Sequence, residues 1–376
     1  MQTSSKTPGP VALAGATPGR VESGPRGPSE GRRLRVGVSG INAVDNPGPG
    51  IAVARSLRED AGLGVEVFGL AYDAMEPGVY MDWVVDRAFL MPYPHTGGEA
   101  YFNRLMDIQA QHGLDVVIPN LDAELPFYIR YASRLAERGV RTCLPTLEQF
   151  QLRGKDRLPE LAAKLGLTTP RTEVVTSLEG LHRALSELSL PVYVKGAYYK
   201  AYRAHTRAEA VEHFHHLVAD WGYPVIVQET VGGVEINVVG MGDGKGGLVG
   251  AVGVKKAWVT ELGKMWTGIT VRHPATLAAA EAFVRMSGWR GPFELECMTR
   301  GDEVDLIEIN PRFPAWVYLA TGVGVNLPAA MVRALVGLPV PASPEYATGR
   351  MFVRYSYDLV TDMSRLQQMV TQGGTP

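Results

Sequence analysis

Glu308-Ile309-Asn310-Pro311-Arg312 is the most informative stretch of this sequence, because it ends an apolar segment with a carboxylate, an amide and an arginine. Residues two apart on a β-strand share a face, so Glu308 and Asn310 are expected to point the same way. The apolar segments Phe293–Met298 and Val304–Ile309 flank Arg300-Gly301-Asp302, which is typical of a β-hairpin. An antiparallel hairpin would bring Glu296 alongside Glu308.

This pattern gathers two carboxylates and an amide oxygen at one place, with an arginine at its edge. Crowded carboxylates repel each other unless a hard cation lies between them, and oxygen ligands suit Mg²⁺ bridging to phosphates better than Zn²⁺. A strand with a solvated, charged face is the alternative interpretation, and these residues alone leave both open.

Composition sets the wider limits. The chain has 376 residues, 20% of them charged, and a formal net charge of -2, which predicts a globular protein of two or three domains. The near-neutral balance argues against a basic nucleic-acid-binding face. Cys143 and Cys297, the two cysteines, give no metal-ligand or disulfide spacing. No apolar run reaches the roughly 18 residues of a membrane span, so we expect no membrane partner and a cytoplasmic location.

The order of predicted elements divides the chain. Residues 1–33 are rich in Gly, Pro, Ser and Arg, which predicts a disordered tail. From Leu34 to about residue 150, strands alternate with helices and a last strand is expected at Val140–Leu144, which predicts a parallel sheet covered on both faces. Beyond Lys155 the spacing predicts further strands and helices, with these bounds: helices 158–165, 207–221, 274–287 and 327–335, strands 192–195 and 225–228, a hairpin over 235–254, and a late strand over 351–357.

Taken together, these segments resemble the ATP-grasp superfamily, in the branch of carbamoyl phosphate synthetase and biotin carboxylase. The resemblance covers most of residues 35–340 and includes the segment Val117–Leu125. It implies a mixed α/β and α+β architecture: a parallel-sheet pre-ATP-grasp domain (34–150), an ATP-grasp domain (151–342) whose mobile lid covers about 168–228, and a C-terminal extension (343–376).

The resemblance also implies roles for individual residues, each of which has a plainer alternative as an exposed lysine, a polar hairpin edge or a solvated strand face. Lys155 and Lys195 match the two nucleotide-binding lysines, and Lys195 and Arg312 would act on the transferred phosphate and the acceptor. The remaining roles are adenine contact by Gln228, Glu229, Thr230 and Val231, ribose contact by Glu235, and metal ligation by Glu296, Glu308 and Asn310.

The segment after Lys195 departs from the family pattern. The family has a small, glycine-rich loop there, whereas this chain has one glycine (Gly196), the three tyrosines Tyr198, Tyr199 and Tyr202, and the cations Lys200 and Arg203. Three interpretations stay open: Lys200 or Arg203 supplies charge where backbone amides usually contact the phosphates, the lid is stiffer than usual, or the segment is an aromatic strand edge.

The implied activity is that of an ATP- and Mg²⁺-dependent carboxylate–amine ligase, with Mn²⁺ as a substitute metal. It would form an amide or peptide-like bond through an acyl phosphate and release ADP and phosphate. The partners would be small-molecule or peptide carboxylates and amines, with a homodimer left open. The alternatives are a bicarbonate-activating carboxylase or carbamoyl-phosphate-type enzyme, and a non-catalytic nucleotide-binding regulatory protein.

The family pattern does not fix which residues choose the acid. The candidates for this choice are Lys255, Lys256, Lys264, Trp266, Arg272 and Trp316. Open α/β sheets bind ligands beyond the carboxyl ends of their strands, where the first domain carries Asn42, Asp45 and Glu124.

Overall fold

The computed structural model describes residues 32–42, 48–155, 157–196, 200–260, 263–356 and 358–375. The predicted disordered tail therefore lies outside the described residues, apart from its last two positions. Asp45, and Tyr198 and Tyr199 of the unusual segment, lie outside them as well.

The first domain is built on a parallel sheet of strand order β3-β2-β1-β4. Val36 and Val38 of β1 face one apolar cluster, while Phe68 and Val117 of the neighbouring strands face another. The expected parallel sheet with two covered faces is thus confirmed. Its elements are β1 (Leu34–Ser39), α1 (Pro49–Glu59), β2 (Val65–Ala71), β3 (Arg87–Leu90), α2 (Gly98–His112), β4 (Val116–Ile118), α3 (Leu125–Glu137) and α4 (Leu147–Gln151).

The strand predicted at Val140–Leu144 is wrong. Arg141 makes a single bridge to Val116, and the chain then turns toward the second domain. There the Arg290 guanidinium donates to the Leu144 carbonyl at 2.6 Å. The backbone therefore pairs with β4 at Arg141 alone and does not form a further strand of the sheet.

A small antiparallel sheet of order β5-β8-β6-β7 follows. Leu181 and Leu185 of one helix and Phe214 and Leu217 of another pack on it in a single apolar cluster. The segment predicted as a lid spans this unit; its mobility stays a prediction. The elements are β5 (Thr172–Val175), α6 (Leu178–Glu187), β6 (Val192–Gly196), β7 (Ala201–Ala204), α7 (Arg207–Trp221) and β8 (Val225–Glu229).

The largest sheet has six strands in the order β13-β12-β9-β10-β11-β14, all antiparallel. Phe283, Trp289 and Phe293 form the centre of the apolar cluster between this sheet and the helices on one face. The elements are α5 (Leu158–Lys164), β9 (Val234–Asp243), β10 (Leu248–Val259), β11 (Met265–Val271), α8 (Pro274–Ser287), β12 (Arg290–Arg300), β13 (Glu303–Asn310), α9 (Tyr318–Gly322), α10 (Leu327–Leu335) and β14 (Met351–Val353).

The last segment of the chain contacts both the large sheet and the sheet of the first domain. The late strand β14 pairs with β11 of the large sheet and is shorter than predicted. Helix α11 (Met363–Gln372) then leads to Gly374, which bridges to Phe89 at the edge of the first domain's sheet.

Candidate functional site

The hairpin of β12 and β13 brings four polar side chains together. Glu296 lies directly opposite Glu308, and Glu294 lies opposite Asn310. The intervening residue Leu295 belongs to the apolar cluster on the other face. The pairing of Glu296 with Glu308 was expected from the sequence, and it follows from the alternation of side chains along each strand.

Asn310 links this group. Its amide nitrogen donates to Glu296 at 2.9 Å and to Glu294 at 3.1 Å, and its oxygen accepts from Arg312 at 3.3 Å. The carboxylates, the amide and the guanidinium therefore form one continuous network.

The network places three carboxyl groups, those of Glu294, Glu296 and Glu308, beside the one guanidinium of Arg312. Burial, and then the negative charges of Glu294 and Glu308, raise the pKa of Glu296 to about 8. The Asn237 side chain, whose residue lies opposite Glu296 on β9, has a buried oxygen without a hydrogen-bond donor. Oxygen atoms that lack a positive partner are what a divalent cation would satisfy, so this donor set fits Mg²⁺.

The protein ligands cannot enclose such an ion alone. No three acidic, histidine or cysteine side chains among the described residues are placed to hold a metal. Mg²⁺ typically takes one or two carboxylates and completes its shell with water and substrate phosphates, so the arrangement favours a metal that arrives with a phosphate ligand.

A cavity of about 180 Å³ lies between the hairpin and the small sheet. Lys155, Lys195, Gln228 and Glu308 all line it, as does Lys200. The sequence predicted the first four for one nucleotide site, and the structure brings them to one place. Their roles in binding stay predictions.

Lys195 is the cation most affected by this environment. Its ammonium donates to the Gln228 side-chain oxygen at 2.6 Å, and Gln228 in turn donates to Thr172 at 2.9 Å. Burial, and then the positive charge of Lys155, lower the pKa of Lys195 to about 8, although Glu308 and Glu296 oppose the shift. A buried ammonium near a second lysine is poised to accept an anion.

The segment predicted to contact adenine already uses several of its polar groups in hydrogen bonds within the protein. The backbone N–H groups of Glu229 and Thr230 donate to the carbonyls of Arg171 and Pro191. The Glu229 carboxylate accepts from the Ser189 N–H at 2.7 Å. Contact with a base through this segment would therefore use groups other than these two amides, such as those of Val231.

Glu235, the predicted ribose ligand, forms an ion pair with Lys256 at 2.6 Å. Burial lowers the pKa of Lys256, but the carboxylates of Glu296 and Glu235 outweigh it and raise that pKa. Lys256 thus faces Glu296, one of the carboxylates predicted to hold the metal, whereas the sequence proposed Lys256 for choosing the acid.

Arg312 joins the hairpin to the first domain. Its Nε donates to Asp122 at 3.1 Å, and its Nη1 lies 3.9 Å from Glu294. Asp122 stands in the turn between β4 and α3, so this ion pair crosses the domain boundary.

Glu294 is a functional candidate that the sequence reasoning missed. It is 4% exposed and accepts hydrogen bonds from Trp316 at 2.8 Å and Asn237 at 3.2 Å. Burial raises the pKa of Glu294, while Arg312 opposes the shift. The available clue was its position two residues before Glu296 on the same strand, since such residues share a face.

The other acid-choosing candidates lie in different surroundings. Arg272 pairs with Glu345, and its guanidinium lies over the Tyr346 ring. Trp266 is part-buried, while Lys255 and Lys264 are exposed.

In the first domain, Glu124 is fully buried and accepts from Ser39, Tyr72 and Tyr101. It is thus a satisfied core carboxylate. Asn42 has a buried side-chain oxygen without a donor.

Comparison with known proteins identifies this architecture. The family model described as "ATP-grasp in the biosynthetic pathway with Ter operon" matches residues 223–357. The formate-dependent phosphoribosylglycinamide formyltransferase of Geobacter metallireducens is 25% identical over 287 residues, which are 68% of this chain and 70% of that protein.

Two solved structures extend the likeness. The biotin carboxylase domain of Hydrogenobacter thermophilus 2-oxoglutarate carboxylase, a dimer in complex with MgADP, ADP and bicarbonate, has a TM-score of 0.62 at 17% identity, over 82% of this chain and 71% of that one. An L-amino acid ligase from Bacillus licheniformis has a TM-score of 0.59 at 18% identity, over 81% and 74%. At these identities the likeness shows a shared fold, the ATP-grasp fold expected from the sequence.

Among the described residues, no helix combines the length and apolarity that crossing a bilayer requires.

Proposed function

We propose that the chain is an enzyme of the ATP-grasp superfamily, namely an ADP-forming carboxylate–amine ligase that uses ATP and Mg²⁺. It activates an acid as an acyl phosphate and transfers the acyl group to an amine, which forms an amide or peptide-like bond.

One observation carries this proposal: the charged groups form an unbroken row from the cavity to the domain boundary. The lysines line the cavity together with Glu308, which lies opposite Glu296. Asn310 connects Glu296 to Arg312. The row supports a triphosphate at one end, a divalent ion beside it, and an acceptor carboxylate near Arg312.

The chemistry requires two displacements. A carboxylate oxygen of the acid attacks the γ-phosphorus of ATP, and the bond from that phosphorus to the bridging oxygen breaks as ADP leaves. The amine nitrogen then attacks the acyl carbon, and the carbon–oxygen bond breaks with its electron pair on the departing phosphate. The nitrogen loses its extra proton, and no protein nucleophile becomes covalently attached.

The chain's own residues lower the electrostatic cost of the first displacement, which brings anions together. Lys155 and Lys195 place positive charge at the cavity, and Arg312 places it beside the metal carboxylates. When bound through Glu296, Glu308 and Asn310, Mg²⁺ would screen the phosphates and polarise the γ-phosphoryl group. Fixed charges of this kind stabilise the charge that develops in the transition state.

The test is a screen of nucleotide turnover against panels of acids and amines. We expect ADP and phosphate, released only when an acid is present. An acid labelled with ¹⁸O in its carboxylate should transfer one labelled oxygen to the phosphate, since the acyl phosphate oxygen leaves with phosphorus. AMP and pyrophosphate as products would overturn the proposal.

A second candidate is favoured by one of the structural neighbours. The Hydrogenobacter thermophilus domain was crystallised with bicarbonate, and the same charged row could activate bicarbonate in a carboxylase or carbamoyl-phosphate-type enzyme. ADP release that bicarbonate stimulates, while no organic acid does, would favour this candidate. ATP binding without turnover in any arm would favour a nucleotide-binding regulatory protein.

Three further expectations stay predictions. Mn²⁺ should replace Mg²⁺ in the turnover assay, because both ions accept the same oxygen ligands. A homodimer, the state of that biotin carboxylase domain, is testable by light scattering. The expected cytoplasmic location is testable by cell fractionation.

A further inference from the structure

Asp122 and Arg153, at the boundary between the first domain and the large sheet, form an ion-paired cluster with Arg312 and are not used by the proposed chemistry. Asp122 accepts from Arg312 Nε at 3.1 Å on one oxygen, and its other oxygen lies 3.3 Å from Arg153 Nη1. The side chains are 19% (Arg312), 27% (Asp122) and 25% (Arg153) exposed. The cluster is therefore held by the protein and still open to solvent.

The three charges are not equally engaged. Arg312 also faces Glu294 and bonds to Asn310. Within the described part of the chain, Asp122 is the ion-pair partner of Arg153, whose guanidinium stacks at 4.3 Å over the Phe150 ring. Two guanidiniums share the one carboxylate of Asp122, so these three groups together have a net charge of +1. Because Arg312 also interacts with Glu294 and Asn310, Arg153 is the guanidinium better able to pair with a further anion.

The position of Arg153 separates it from the nucleotide. Lys155, two residues along the chain, lines the cavity, whereas Arg153 is not part of its lining. Arg153 reaches the metal carboxylates only through Asp122, Arg312 and Asn310. The acid is placed near Arg312 by the proposed function, which leaves the groups beyond Arg312, namely Asp122 and Arg153, for the attacking amine.

We propose that Arg153 and Asp122 bind the amine substrate, and that this substrate is a free α-amino acid. Its carboxylate pairs with Arg153 and its ammonium with Asp122. An α-amino acid carries a positive and a negative group on one carbon, which matches an adjacent carboxylate and guanidinium. This inference rests on the proposed ligase function and names its nucleophile.

The experiment compares nucleophiles in the wild-type protein and its variants, after the screen has found an acid that supports turnover. Hydroxylamine carries no carboxylate and traps the acyl phosphate as a hydroxamate, so it reports the first displacement alone. L-alanine and L-alaninamide differ in the carboxylate and test the second. The variants are Arg153→Gln, the charge-retaining Arg153→Lys, and Arg157→Gln, which changes an exposed arginine on the same segment.

We expect the kcat/KM for L-alanine to exceed that for L-alaninamide by about tenfold or more, because one charge-assisted hydrogen bond typically contributes a factor of this size. Arg153→Gln should raise the KM for L-alanine relative to that for hydroxylamine by a similar factor. Arg153→Lys should recover part of it, and Arg157→Gln should leave this ratio as in the wild type.

The outcomes distinguish two failures. Suppose that the wild type forms hydroxamate but accepts L-alanine and L-alaninamide equally, and that Arg153→Gln does not change the ratio of the KM for L-alanine to that for hydroxylamine. This result would overturn the inference about the amine and leave the ligase proposal intact. Absence of hydroxamate with every acid would overturn the ligase proposal and this inference with it.

Discussion

At the scale of single residues, Glu308 tests the metal assignment most directly. It lines the cavity and lies opposite Glu296. Glu308→Gln keeps the shape and removes the charge, so turnover should fall by about a hundredfold to a thousandfold while the protein stays folded. Turnover is measured as ADP release, and folding by circular dichroism.

Glu303 provides the control for that change. It lies on the same strand with its side chain 74% exposed. Glu303→Gln should keep wild-type turnover. Equal activity of the two variants would remove Glu308 from the metal site.

Glu76 in the first domain predicts a pH-dependent stability. Burial raises its pKa from 4.5 to about 7, against the opposing effect of hydrogen bonds from the Tyr72 and Asp73 backbone. The folded state therefore holds a proton that the unfolded state has lost between these two values, and stability falls as the pH rises through this window. By this linkage, the free energy of unfolding is lower above pH 7 than near pH 4.5 by at most about 3 kcal/mol.

Glu76→Gln should remove this loss. The variant should match the wild type near pH 4.5 and be more stable near pH 8, by up to about 3 kcal/mol in the free energy of unfolding. Urea unfolding at both pH values measures the difference, and Glu137→Gln, at an exposed site, is the control. A constant difference between wild type and variant at the two pH values would contradict the explanation.

Individual residues also show which contacts of the site could be predicted from the sequence. Glu296, Glu308 and Asn310 could be predicted to meet because alternation along paired strands fixes which side chains share a face. The same rule places Glu294 on that face, but its hydrogen bond from Trp316 comes from a segment beyond the hairpin. Sequence spacing does not reveal contacts of that kind.

At the scale of elements, the pairing of β9 with β12 predicts a steric limit. Gly240 lies opposite Phe293, and a Cβ at Gly240 would come within 2.5 Å of the ring. Phe293 is fully buried between the rings of Phe283 and Trp289, so it cannot move aside. Gly240→Ala should therefore lower the free energy of unfolding by about 1–3 kcal/mol.

Gly232 is the matched control for this change, because a Cβ there would meet nothing within 4 Å. Gly232→Ala should be nearly neutral in the same urea titration. Adding Phe293→Leu to Gly240→Ala should recover part of the lost stability, and no recovery would show that the cost has another origin.

The elements differ in how well local sequence predicts them. Helices α7, α8 and α10 begin and end where the sequence predicts, because each has a polar or proline start and a regular apolar spacing. Strands β3 and β5 have four residues each, too few for a clear alternation, and were not predicted. Helix α6 was also missed, although Ser177 caps it and its leucines recur at helical spacing.

At the scale of the whole molecule, the interdomain contacts of the site depend on sequence-distant residues. Arg312 and Asp122 are 190 positions apart, and no local pattern relates them. The sequence resemblance could predict that a first domain precedes the nucleotide-binding fold. It could not predict which side chains cross the boundary, because that depends on how the two domains pack.

The C-terminal segment makes the last prediction at this scale. Met369 of α11 is fully buried, and beyond it the Leu90 N–H donates to the Gly373 carbonyl while the Ala88 N–H donates to Thr375. Burial of Met369 therefore holds a segment that covers the open edge of β3.

Met369→Ala should lower the free energy of unfolding by about 2–5 kcal/mol if the site does not collapse. The amides of Ala88 and Leu90 should then exchange hydrogen about tenfold faster or more, since local opening controls exchange. Met363→Ala on the same helix, at a side chain that is 64% exposed, should leave exchange as in the wild type. Unchanged exchange at β3 in Met369→Ala would show that this edge is protected without the C-terminal segment.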